Sequence, residues 1–144
     1  MSESIDTESD IAKALAMRHI AVVGFSDKPA RASYYVSVYM ANAGYRVIGI
    51  NPLLIHKRDL PISVVESLSD MPPPIDIVNV FRRSEEVPEI AEAAVRRGAK
   101  VLWLQEGIHH PEAAAMARAA GLIVVEDRCL LKEHTASERR AQEG

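Results

Sequence analysis

A chain of 144 residues, 48% of them hydrophobic and 26% charged, is long enough to bury one core without disulfides or metals, and its composition is that of a soluble globular domain. A formal charge of -3 at pH 7 gives no support to nucleic-acid or anionic-membrane binding, so any anion-binding patch must be local. The single cysteine, Cys129, excludes an intrachain disulfide; with an acidic opening and no apolar run near about 18 residues, a cytoplasmic setting with no membrane contact is expected.

Residues 1–6 are polar and expected to fray, and Thr7 to Asp10 offer caps for a short helix that carries Ile11, Ala14, Leu15 and Met17. Ile20 to Val23 is then fully apolar, as a strand buried on both faces is, and it ends at Gly24. After the loop Gly24 to Ser33, residues Tyr35, Val36, Tyr39, Met40 and Ala43 fall at helical spacing, with Gly44 as the stop. Tyr45 to Ile50 reads as a second strand closed by Asn51-Pro52, since proline removes a ladder donor and turns its predecessor out of the helical region. Leu53 to Pro74 is irregular, with a short edge strand at Ile62 to Val65.

Alternation resumes at Ile75 to Val80, a buried strand in spite of Asp76 and Asn79. Ser84 is the expected N-cap of a helix with Glu85 and Glu86 at its positive end and Val87, Ile90, Ala91, Ala94 and Val95 as its buried stripe. Ala99 to Leu104 is a strand, Pro111 to Ala120 a helix stopped by Gly121, and Leu122 to Val125 the last strand. From Arg128 a short helix is expected to give way to a charged, mobile tail at about residues 137–144. The predicted fold is α/β and Rossmann-like: one domain over residues 1–144, built on a mostly parallel open sheet of about five strands with helices on both faces.

That topology collects the residues after each strand on one edge, where ligands of open α/β sheets bind. The first loop, GFSDKPARAS, is not the dinucleotide fingerprint, because Ser26 and Pro29 stand where its second and third glycines would be. Gly24, the hydroxyls of Ser26 and Ser33, the charges of Lys28 and Arg31 and the amides of the following helix are phosphate-binding parts, although an ordinary βα loop has the same composition. Asn51 stands where an NAD enzyme carries an acid for the ribose hydroxyls. Phe81, Arg82 and Arg83 can stack on a heterocycle and pair with phosphate, or be a core aromatic beside solvated arginines. Trp103 reads as core and Gln105 as a ligand candidate.

No G-x-S-x-G elbow, carboxylate pair or metal-ligand set is spaced for catalysis, and His109-His110 does not complete a metal site. Cys129 is either a small buried hydrophobe or a thiol open to exchange with a thiol-bearing ligand.

The segments VVGFSDKPARASYYVSVYM, AGYRVIGINP, DIVNVFRRSEEVPEIAEAAVRRGAKVLWLQEGI and AAGLIVVEDRC, taken in order over Ile11 to His134, resemble the stand-alone CoA-binding domain proteins. Those are similar to the N-terminal CoA-binding domain of the succinyl-CoA synthetase alpha subunit. The resemblance implies that Gly24, Phe25, Ser26, Lys28, Arg31 and Ser33 surround the nucleotide phosphates, that Asn51 and Pro52 line the adenosine side, and that Phe81, Arg82 and Arg83 border the nucleotide and pantetheine path with Gln105 beyond them. It departs from the family after Asn51-Pro52, where LLIHKRDLPISVVE replaces a glycine-containing loop. It implies non-enzymatic binding of coenzyme A or acyl-CoA, with no second domain or ATP-grasp partner encoded here, and leaves a homo-oligomer or another protein partner open. The alternatives are an NAD(P)-binding oxidoreductase-type domain and a CoA-dependent enzyme using Cys129.

Overall fold

In the computed structural model, which describes residues 6–143, the apolar run before Gly24 forms β1 (His19–Val23) at the centre of a six-stranded, all-parallel sheet. On one side lie β2 (Arg46–Ile50) and the edge strand β3 (Ser63–Val65); on the other lie β4 (Ile77–Val80), β5 (Val101–Leu104) and β6 (Ile123–Val125), giving the order β3-β2-β1-β4-β5-β6. The short strand expected at Ile62 to Val65 is thus the sixth member of the sheet. The register places Val22 beside Asn79 and Asn79 beside Trp103 in the middle of the molecule.

Alternation of side chains divides the core in two. Ile20, Val22, Ile77, Val101 and Trp103 face α1 (Thr7–Leu15), α2 (Ala32–Asn42) and α5 (Leu130–Glu143). Ala21, Val78, Val80, Leu102 and Leu104 face α3 (Val87–Arg96) and α4 (Pro111–Ala119). The chain therefore leaves β1 toward one face and the adjacent β4 toward the other. Diverging connections at neighbouring strands open a crevice at their carboxyl ends.

Several boundaries differ from expectation for local reasons. Asp6, one residue before the predicted caps, closes α1 by accepting the Ser9 N–H at 3.1 Å; residues 1–5, expected to fray, lie outside the described residues. Ser84 does not cap α3. A 3-10 turn, Ser84–Glu86, intervenes, and Glu86 Oε2 takes the Arg83 N–H at 3.3 Å. The expected short helix after Arg128 is longer than read: α5 takes in the charged tail from residue 137 and is helical through Glu143, with Gly144 outside the described residues. That helix is docked: Tyr39 of α2 meets His134 Nδ1 at 2.8 Å through its hydroxyl, which also accepts from Thr135 Oγ1 at 3.1 Å.

At the amino edge, opposite the loops, buried Asp76 accepts the N–H groups of Arg18 and His19 at 3.2 and 3.0 Å and meets the His19 ring at 3.1 Å. Burial raises its pKa, but the His19 and Arg18 bonds and the Lys100 charge outweigh burial and leave the carboxyl below its ordinary value. Asp76 is the polar interruption in this strand that the fold uses as a latch.

Candidate functional site

The first loop is braced from beneath. Gly24 has φ +90°, and a Cβ there would stand 2.8 Å from both Phe81 O and Arg82 Cδ. Only glycine allows the loops after β1 and β4 to touch in this way. Phe25 turns inward and is fully buried, against Gly49 of β2, where a Cβ would come within 2.8 Å of the phenyl ring. The side chain of Phe25 is therefore core, and only its backbone can border a ligand. The strand pattern of Tyr45 to Ile50 does not single out Gly49, although a glycine inside an otherwise apolar strand is a signal of close approach.

Two side chains then fix the loop's path. Ser33, almost fully buried, accepts the Ser26 N–H at 2.9 Å, and Ser26 Oγ accepts the Lys28 N–H at 3.1 Å. Asn51 Nδ2 donates to Phe25 O at 2.8 Å while its Oδ1 accepts the Leu53 N–H at 2.8 Å. The Asn51 amide, expected to line the adenosine side, is thus committed to holding the loop on β2. Pro52 is exposed and opens a 3-10 turn, Pro52–Leu54.

The cations divide into two sets. Lys28 and Arg31 are exposed and, among the described residues, have no carboxylate within salt-bridge distance. They flank the start of α2, which has no acidic residue in its first turn and whose leading N–H groups lack intrahelical acceptors. Asp27 of the same loop is paired with Lys57, and the Lys57 hydrogen bond holds its carboxyl below the usual value. Arg82 is held by Glu86 at 2.7 Å, a bond that depresses the Glu86 pKa. Arg83 is 78% exposed and lies 3.5 Å from Glu85 and Glu86. Both arginines follow β4 at the loop edge of the sheet, and each is shared with carboxylates.

A hollow opens on either side of this loop. One, about 250 Å³, is mostly apolar and is lined by Val23, Ile50, Leu68, Ile90 and Ala93 with Glu66 and Glu89 at its margin. The other, about 330 Å³, lies between α2 and α5 and is lined by Ala32, Tyr35, Phe81, Gln105, Cys129 and Leu131. A larger hollow of about 720 Å³ is set against β6 between α1 and α4 and shares no residue with the loops. Its position makes it no part of this site.

Gln105 is only 4% exposed because its Oε1 accepts the Leu130 N–H at 3.0 Å and so caps α5. Its role is first structural, yet its Nε2 takes no protein partner and the residue borders the second hollow. Trp103 is core as expected, with Nε1 donating to Arg128 O at 2.8 Å. Asn79, two residues before Phe81 on the same strand face, is fully buried with both amide atoms unpartnered. The histidine pair serves local structure: His110 Nδ1 accepts the Ala113 N–H at 3.1 Å at the start of α4, and the His109 N–H donates to Ser84 Oγ at 3.2 Å. Among the described residues no three His, Cys, Asp or Glu side chains gather as a metal site, and no helix is long and apolar enough to cross a membrane.

Against known proteins, residues 18–135 match the profile of the family described as CoA binding domain. The chain is 42% identical over 120 residues to the uncharacterized Bacillus subtilis protein YneT, covering 83% of this chain and 87% of that one. A solved Thermus thermophilus protein superposes with a TM-score of 0.82 at 34% identity, covering 91% of this chain and 98% of the other. A hypothetical protein from Pyrococcus horikoshii superposes equally well, with a TM-score of 0.82 at 33% identity over 94% of this chain and 98% of its own.

Proposed function

Because the chain belongs to the CoA-binding domain family, we propose that it binds coenzyme A, free or acylated, across the carboxyl edge of its sheet and catalyses no turnover of it. The observation that carries this reading is the pair of hollows on either side of a loop whose Lys28 and Arg31 have no carboxylate partner among the described residues. A ligand with a heterocycle at one end, phosphates in the middle and an arm at the other suits that arrangement.

In this reading the adenine enters the apolar hollow beside β1 and β2, stacking on Ile50 and Leu68. The phosphates lie over the backbone of Gly24 to Ser33 and the N-terminus of α2, with Lys28 and Arg31 as counter-charges. The pantetheine arm passes Phe81 toward Gln105. A cytoplasmic setting, expected from the sequence, fits a ligand of that kind.

An NAD(P) reading finds less support. The end of β2 offers no acid for ribose hydroxyls, and the Asn51 amide in its place is occupied by the loop. Catalysis by Cys129 would need a base, and His134 of the helix that follows it is engaged by Tyr39 and Glu138. Thermal unfolding with CoA, dephospho-CoA, NAD and NADP at equal concentration tests the proposal, because a ligand of the native state stabilises it according to RT ln(1 + [L]/Kd). CoA is expected to raise the midpoint most. Stabilisation by NADP and not by CoA overturns the reading.

A further inference from the structure

The second hollow ends on a thiol. Cys129 is 7% exposed, and it is one of the residues that line this hollow. Its position is rigidly set: Arg128 N–H donates to Leu104 O at 3.2 Å, Arg128 O accepts from Trp103, and Cys129 O accepts the Glu133 N–H at 3.0 Å as α5 begins. A buried cysteine alone signals nothing, since it packs as a small hydrophobe. Gln105 supplies an independent sign of a ligand. It is buried, its oxygen is locked on Leu130 N–H, and its Nε2 has no protein partner among the described residues at the wall of the same hollow. That donor is open to the hollow, whose wall also carries Glu106 and Lys132, and a carbonyl of a bound ligand can take the place of water on it. An arm of methylenes and amide carbonyls that ends in sulfur has that character.

Building on the CoA reading above, we propose that Cys129 is a thiol–disulfide exchange site for CoA disulfides. The Cys129 thiol gives its proton to solvent and its sulfur attacks one sulfur of a CoA disulfide lying in the hollow. The Cys129–CoA disulfide forms, the original S–S bond breaks, and the departing CoA thiolate takes up a proton. Cys129 is oxidised and the released CoA is reduced, so no other oxidant is needed. Excess thiol reverses the step. The protein thereby alternates between an open site and one plugged covalently by its own ligand, according to the ratio of CoA disulfide to CoA.

Intact-mass spectrometry of the full chain with CoA disulfide or glutathione disulfide tests this, with and without desulfo-CoA as a competitor that has no thiol. The expected result is a single CoA adduct, removed by dithiothreitol and absent from Cys129→Ser and Cys129→Ala. Binding should raise the local concentration of the disulfide, so the adduct should form at least about tenfold faster than with glutathione disulfide and be slowed by desulfo-CoA. Absence of an adduct on protein that binds CoA calorimetrically overturns the proposal. So do equal rates with both disulfides, unaffected by the competitor. Failure of the binding reading shows separately, as no heat when CoA is titrated into Cys129→Ser that melts like the wild type.

Discussion

The Ser33 hydroxyl accepts the Ser26 N–H at 2.9 Å across seven residues of chain, so the wall of the first loop is a side chain of α2 rather than the loop itself. This turns an open polar turn into a preformed surface of backbone amides before any ligand arrives, which lowers the ordering cost of binding. Replacing Ser33 with alanine should leave a half-buried N–H unpaired and cost about 1–2 kcal/mol of stability, with a larger relative loss in CoA affinity. Ser33→Thr should retain both. Urea unfolding and CoA titration of the two variants check this pair of outcomes.

Removing Lys28 or Arg31 by alanine should weaken CoA binding by about three- to tenfold each, as expected for exposed charge-assisted bonds, while leaving unfolding unchanged. If these cations face the 3′-phosphate, dephospho-CoA affinity should not move in the variants. Calorimetric titration with both ligands reads the difference, and an equal loss for the two would assign the cations to the pyrophosphate instead.

Gly49→Ala should be destabilising by about 1–3 kcal/mol although the position is a regular strand, because the new methyl would meet the Phe25 ring at 2.8 Å. The strain should travel to the loop through Phe25 and depress CoA binding as well. A variant that is destabilised but binds normally would separate Phe25 packing from loop shape.

Asn79 places an unpartnered amide in the centre of β4. Exchange for leucine, similar in branching and wholly apolar, should raise stability by about 1–2 kcal/mol in thermal or urea unfolding. A fall in stability would mean that a buried water satisfies the amide.

Acid should loosen the amino edge first. The Asp76 carboxyl is depressed in the folded protein below its ordinary value of 3.8. Its contribution is therefore present above that value, and it is lost as pH falls below it toward the lower folded value. Between about pH 5 and pH 2 the wild type should lose stability more steeply than Asp76→Asn, which is already weaker at neutral pH. Parallel acid limbs for the two proteins would remove Asp76 from that role.

The strands and helices were legible because each has one dominant signal. Ile20 to Val23 is apolar without alternation, and Gly44, Gly98 and Gly121 follow helices at positive φ. The loops at the sheet edge were legible as places, since βαβ topology alone brings them together. What each side chain does there was less so. Phe25, Asn51 and Gln105 were read as ligand-facing, and the fold uses them as a core plug, a strap to β2 and a cap for α5. Those uses depend on partners 24 to 26 residues away, Gly49, Phe25 and Leu130, which no local pattern encodes. The length of α5 was hidden for the opposite reason: its charges look solvated in isolation, and its first half is anchored at His134 and Thr135 by Tyr39, far away in sequence.

In the proposed binding mode one ligand spans both hollows across the Gly24 loop. Backbone amide chemical-shift mapping during titration with CoA tests it most directly. The account predicts saturable shifts at Phe25 to Ser33, together with shifts at Ile50 and Leu68 on one side and at Phe81, Gln105 and Cys129 on the other, and none at His19 or Asp76. No saturable shifts, or shifts confined to the amino edge or to the hollow between α1 and α4, would contradict it.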